Sequence, residues 1–232
     1  MEETGQDTFW SWTDLLVFVG AGLPALAVVF WLVAWLMGPF THNKALLVMV
    51  PQFAGQAAML VLLALLFRWK YDRSLLAAMR LAVPARYVGP SLWMGLAVAI
   101  GVLATAIALR TPQLQNPMQD LMDDPGSAPW VAVFAISIGP LVEEIFFRGL
   151  LQQSATRSLG PIAGILIGAV PFALLHGPQY AWSWRHVLMI AAAGSAFGWW
   201  RMRTGSTGAS SLMHAVYNGV FVAGFLVGRT AL

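Results

Sequence analysis

Residues 45–67 read ALLVMVPQFAGQAAMLVLLALLF, an apolar run with no ionisable side chain from Ala45 to Phe67. Wound as an α-helix at about 1.5 Å per residue, it is long enough to cross a hydrocarbon layer of about 30 Å. Two more such runs flank it, Leu15 to Met37 and Tyr87 to Leu109. In lipid these segments must be helical, because every backbone N–H and C=O has to find its partner inside the segment, and no alternating strand pattern is present. Four further hydrophobic segments, Trp130–Leu151, Pro161–Leu175, Arg185–Trp200 and Ala209–Val227, bring the expected count to about seven spans, with eight as the alternative. The expected fold class is all-α, a polytopic transmembrane helical bundle.

Composition agrees with that reading. Of 232 residues 59% are hydrophobic and 10% are charged, against about 45–50% and about 25% in soluble domains. The absence of cysteine removes disulfides, thiol nucleophiles and thiolate metal sites. The formal net charge of +3 is modest and its basic residues lie beside apolar spans, which speaks for membrane orientation and against nucleic acid. Counting by alternate loops, Arg68, Lys70, Arg73, Arg80, Arg86, Arg157, Arg201 and Arg203 fall on one side, and Lys44, Arg110, Arg185 and Arg229 on the other. The positive-inside rule then places the N-terminus in the cytoplasm.

The polar segment 1–14, with Glu2, Glu3, Asp7 and Asp14, lacks the basic start and small-residue cleavage site of a signal peptide, so the first span is kept as part of the mature chain. Residues 15–129 form an N-terminal group of helices and connectors, in which Ser74–Val83 reads as a short interfacial helix. Residues 130–232 form a second group whose spans are interrupted by polar residues. That asymmetry predicts lipid-facing helices first and a polar interior built by the later ones.

The chemistry concentrates in the later group. The fourth span carries Glu143, Glu144 and Arg148 within an apolar helix, and each charge near a helix centre costs about 2.5–3.5 kcal/mol on insertion scales. Glu144 and Arg148 are four apart with the acid first, the order that favours an intrahelical ion pair. Glu143 sits about 100° around the helix from Glu144 and lacks that partner, so it is read as a general base that takes a proton from water. Phe172 and His176 on the fifth span, and His214 and Asn218 on the seventh, are again four apart and share a helix face. Imidazole and carboxamide can donate hydrogen bonds to a developing oxyanion.

Three motifs in this order on separate hydrophobic segments, Glu143-Glu144-x-x-x-Arg148, Phe172-x-x-x-His176 and His214-x-x-x-Asn218, resemble the CAAX-protease and bacteriocin-processing family of intramembrane endopeptidases. That family includes eukaryotic CAAX-processing endopeptidases and bacterial Abi proteins. The resemblance covers Trp130 to Val227, and the run Thr204-Gly205-Ser206 fits it. It implies a catalytic core over 130–232, a multi-pass protein of the bacterial inner membrane, and a peptide or protein substrate at the bilayer. By resemblance, Glu143 is the water-activating glutamate, Glu144 and Arg148 its supporting pair, His176, His214 and Asn218 the rest of the catalytic set, and Phe172 a packing wall. Members have been described both as metalloproteases and as glutamate peptidases. Glu143, His176 and His214 suit a zinc set, but the pairing of His214 with Asn218 favours the version with no cofactor. Different readings of the same cluster are a proton-coupled transporter and a silent membrane scaffold.

Overall fold

The structure is a computed structural model that describes residues 10–230, and among these every regular element is helical. Glu2, Glu3 and Asp7 of the acidic start lie outside the described residues, as does the side chain of Arg229. The chain begins with α1 (Trp12–Val17), a π-helical turn (Phe18–Gly22) and α2 (Leu23–Met37), which together make one continuous run. Next come α3 (Lys44–Tyr71), the single turn α4 (Leu75–Ala78), α5 (Ala85–Ala108) and the short α6 (Pro117–Asp123). The functional half contains α7 (Ala128–Ile136), α8 (Ile138–Glu144), a π-helical segment (Ile145–Leu151), α9 (Gln152–Leu159), α10 (Pro161–Leu175), α11 (Trp184–Thr204) and α12 (Thr207–Thr230).

Among the described residues five runs are long and apolar enough to cross a membrane: Trp12–Met37, Lys44–Tyr71, Ala85–Ala108, Ala128–Leu159 and Thr207–Gly228. The other two expected segments form α10, which is apolar but short, and α11, which carries Arg185, His186, Arg201 and Arg203. The expected count of about seven spans, with eight as the alternative, is therefore not confirmed, since only five helices of that kind are found among the described residues.

Helix ends follow local chemistry. Asn43 accepts a hydrogen bond from the Leu46 amide at 3.0 Å to start α3, and Asp72 closes it in the left-handed region with an ion pair to Arg68 at 2.8 Å. Asp14 caps α1 in a capping box with Ser11 and also receives Lys70 and Tyr71, which ties the first span to the end of α3. Gly160 at φ 86° turns the chain from α9 into α10, and Gly205 at φ 68° turns it from α11 into α12.

The expected interfacial helix over Ser74–Val83 shrinks to the one turn of α4. Arg80 takes φ 51°, and its carbonyl accepts from the Thr207 amide at 3.0 Å. Ser206 Oγ donates to the Ala82 carbonyl at 2.7 Å. The segment after α4 is thus occupied in capping the start of α12, and a helix there would forfeit those bonds. The partner residues lie some 125 positions away, which local amphipathicity cannot register.

α12 packs against α5, α7, α8 and α11, and α10 packs against α9 and α11. Gly95 of α5 has no room for a Cβ, which would stand 2.4 Å from the Met213 carbonyl. That close approach of α5 and α12 is the small-residue packing expected between membrane helices.

Candidate functional site

The helical run that carries both glutamates is interrupted twice. The first break lies at Ser137, with φ −130° and ψ −87°, where the Ser137 hydroxyl donates back to the Val133 carbonyl. Pro140 explains why the ladder opens there, since it has no N–H to give to Ile136. The second interruption is the π-helical segment that follows Glu144 and contains Arg148. Wider π turns of this kind recur at functional sites.

Glu144 is fully buried and has three partners. Its Oε1 lies 2.9 Å from Arg148 Nη1, an ion contact outside hydrogen-bond alignment, and 3.1 Å from His214 Nδ1. Its Oε2 receives Ser210 Oγ at 2.5 Å, a hydroxyl that also lies 3.0 Å from the Phe197 carbonyl. Arg148, also buried, donates from Nη2 to the Gly194 carbonyl at 2.8 Å. Its guanidinium carbon stands 4.6 Å from the centre of the Phe172 ring, 5.5 Å from that of Phe197 and 5.8 Å from that of Phe147. Aromatic faces attract a desolvated cation by as much as about 2 kcal/mol, which helps to offset the cost of holding the charge there. A Cβ at Gly194 would stand 3.0 Å from Nη2, so the absence of a side chain lets Arg148 reach that carbonyl.

His214 is buried between Phe197, stacked on it with ring centroids 4.4 Å apart, and Phe172, edge-on at 5.7 Å. A carboxylate only accepts, so the bond to Glu144 places the proton on Nδ1 and leaves the Nε2 lone pair pointing the other way. Nε2 lies 3.8 Å from Glu143 Oε2, and the Glu143 side chain is 33% exposed. The two neighbouring glutamates therefore occupy different environments, one sealed and neutralised, the other open beside an imidazole.

Phe172 is buried and joins the elements, touching Arg148, His214 and His176. His176 caps α10, is only partly buried, and its Nδ1 pairs with the Phe172 carbonyl at 2.8 Å. Since a carbonyl accepts, Nδ1 again carries the proton and Nε2 is left free. His176 thus approaches the cluster through the Phe172 ring. Asn218, one turn beyond His214, donates from Nδ2 to the Ala135 carbonyl at 2.8 Å.

The structure therefore brings Glu143, Glu144, Arg148, Phe172 and His214 together directly, with His176 and Asn218 at the edges. Among the described residues, no group of three or more histidine, aspartate or glutamate side chains is arranged to hold a metal ion. Glu143, His176 and His214 are not gathered into such a group; in both histidines Nδ1 is engaged, by Glu144 and by the Phe172 carbonyl, and Nε2 is the nitrogen turned outward. Sequence reasoning passed over Ser210, Phe197 and Gly194. Ser210 had a signal, standing four residues before His214 and so on its face. Phe197 and Gly194 had none, because an apolar residue and a backbone carbonyl look alike wherever they occur in a hydrophobic helix.

Residues 125–220 match the family model described as type II CAAX prenyl endopeptidase Rce1-like. The matched stretch contains the whole cluster, from α7 through Asn218. No curated protein and no solved structure matches the chain.

Proposed function

We propose that this protein is an intramembrane endopeptidase that hydrolyses a peptide bond of a membrane-associated substrate through water activated by Glu143. The observation that carries this reading is the half-open position of Glu143 beside His214 Nε2, backed by the sealed Glu144–Arg148 pair. Two acceptors 3.8 Å apart are the flank of a site for a group that gives up protons, and water is such a group. Glu143 accepts a proton as the water oxygen attacks the scissile carbonyl, and the same proton is delivered to the leaving amine. His214, whose Nε2 faces the same place, becomes a donor toward the tetrahedral oxygen once protonated, and the buried Glu144 carboxylate stabilises the imidazolium. Arg148 holds Glu144 in place through their buried ion contact. Phe172 forms the wall, and His176, partly open, stands at its edge where a peptide approaches.

The family match supports a substrate with a CAAX-type or related C-terminal tail, presented at the bilayer to which the apolar helices belong. On this reading Glu143 activates water without a catalytic metal, and chelation decides between that and a zinc-dependent version. In liposomes, the purified protein is expected to cleave a membrane-anchored peptide and to keep that activity after exhaustive chelation. Activity lost on chelation and restored by zinc would replace this mechanism with a zinc-dependent one. No turnover of any peptide by the wild-type protein would favour the transporter or scaffold readings.

A further inference from the structure

The carbonyl that Asn218 holds belongs to the same broken run that carries both glutamates. α7 ends at Ile136, Ser137 leaves the helical region, and α8 starts at Ile138. Carbonyls in the last turn of a helix have no partner inside it and need one from elsewhere. Val133 receives the Ser137 hydroxyl, and Ala135 receives the Asn218 amide at 2.8 Å. α12, which bears Asn218, packs on both α7 and α8, so this bond fixes one piece of the broken helix to the element against which the other piece lies.

Glu143 stands six residues past Ser137, about 9 Å along the axis at about 1.5 Å per residue. A swing of about 10° at the joint displaces its carboxylate by about 1.5 Å over that lever arm. Misplacement by about 1 Å can cost about 10²-fold in rate. His214 lies on α12 itself, one turn before Asn218, so the angle between α8 and α12 is also the relation between Glu143 Oε2 and His214 Nε2.

We infer that Asn218 is a positioning residue whose amide clamps the break at Ser137 and thereby fixes where α8 aims Glu143. The purpose of that aim rests on the peptidase reading; the clamp itself does not. The helix-face pattern in the sequence suggests another role, donation to an oxyanion, whereas here an amide N–H is engaged by a backbone carbonyl.

Hydrogen–deuterium exchange of the full-length protein in detergent, without substrate, tests the clamp in Asn218→Ala and in Asn218→Ser, which keeps a small polar side chain at the position. Exchange is expected to quicken about tenfold over residues 137–146, as for a lost buried hydrogen bond, with α3 and α5 unchanged. The melting temperature should stay close to wild type, and kcat per folded enzyme should fall about 10²-fold at unchanged KM, so that the lost rate is not lost protein. Unchanged exchange over 137–146 in both variants, with kcat still reduced, would overturn the clamp and assign the amide directly to the oxyanion. Exchange rising equally in all helices would overturn it as well, making Asn218 a residue of the fold as a whole. Failure of the peptidase reading is distinguishable, because it shows as absence of turnover in the wild type and leaves the exchange result standing.

Discussion

The first span and the fourth are both long and apolar, yet they are built on different terms. In Trp12–Met37 only 11% of the most apolar stretch is buried inside the protein, and α2 has no buried residue at all. In Ala128–Leu159 the share is 39%, and the buried set includes Glu144, Arg148 and Gln152. One helix meets lipid with Val28, Trp31 and Trp35, each about 70% exposed. The other turns inward and surrounds its charges with hydrogen bonds and aromatic rings. A hydropathy profile treats the two alike, and the difference lies in where the polar residues find partners. The first span does carry a buried acid, Asp14, but it sits at a helix start with Ser11, Lys70 and Tyr71 around it.

This contrast is open to direct attack by mutation. Arg148→Ala leaves the sealed Glu144 without its cation, and removal of one partner of a buried pair costs about 3–5 kcal/mol. A large fall in thermal stability in detergent is expected, together with loss of activity. An inactive variant that melts like wild type would mean that Arg148 acts on substrate and not on Glu144. Ser210→Ala removes a buried hydroxyl from the same carboxylate, and a hydrogen bond to a charged group contributes about 1.5–3 kcal/mol; the melting temperature should drop by less than in Arg148→Ala. At the other end of the scale, Val28→Ala on the lipid face should change stability by no more than about 0.5 kcal/mol. A Val28→Ala effect as large as that of Ser210→Ala would erase the distinction between the two helices.

Much of this was legible in the chain. The expected segments Leu15–Met37 and Ala45–Phe67 fall inside the observed helices, and Tyr87–Leu109 overruns its helix only by the cap residue Leu109, because long apolar runs leave membrane segments little choice. The contact of Glu144 with Arg148 is a matter of spacing on one helix, and spacing is local. What could not be read was the relation between helices. That Ser210 and His214 close on Glu144 depends on α12 packing against α8, and the conversion of Ser74–Val83 into a cap for α12 depends on a contact with Thr207. His176 is the instructive case: its four-residue spacing from Phe172 placed it on the correct face, while its position at the very end of α10 left it reaching the cluster through the Phe172 ring.

The central claim is that two adjacent glutamates divide the labour, Glu143 serving the reaction and Glu144 holding the site. Making the same substitution at each position, Glu143→Gln and Glu144→Gln, and measuring peptide turnover and melting temperature in parallel tests it most directly. Glu143→Gln should cost about 10²–10⁴ in kcat with little change in melting temperature, since the side chain is partly open and removal of a general base leaves packing intact. Glu144→Gln should lower the melting temperature markedly, because Arg148 is left buried without a counter-charge. Full turnover in Glu143→Gln, or a Glu144→Gln protein as stable as wild type, would contradict the account.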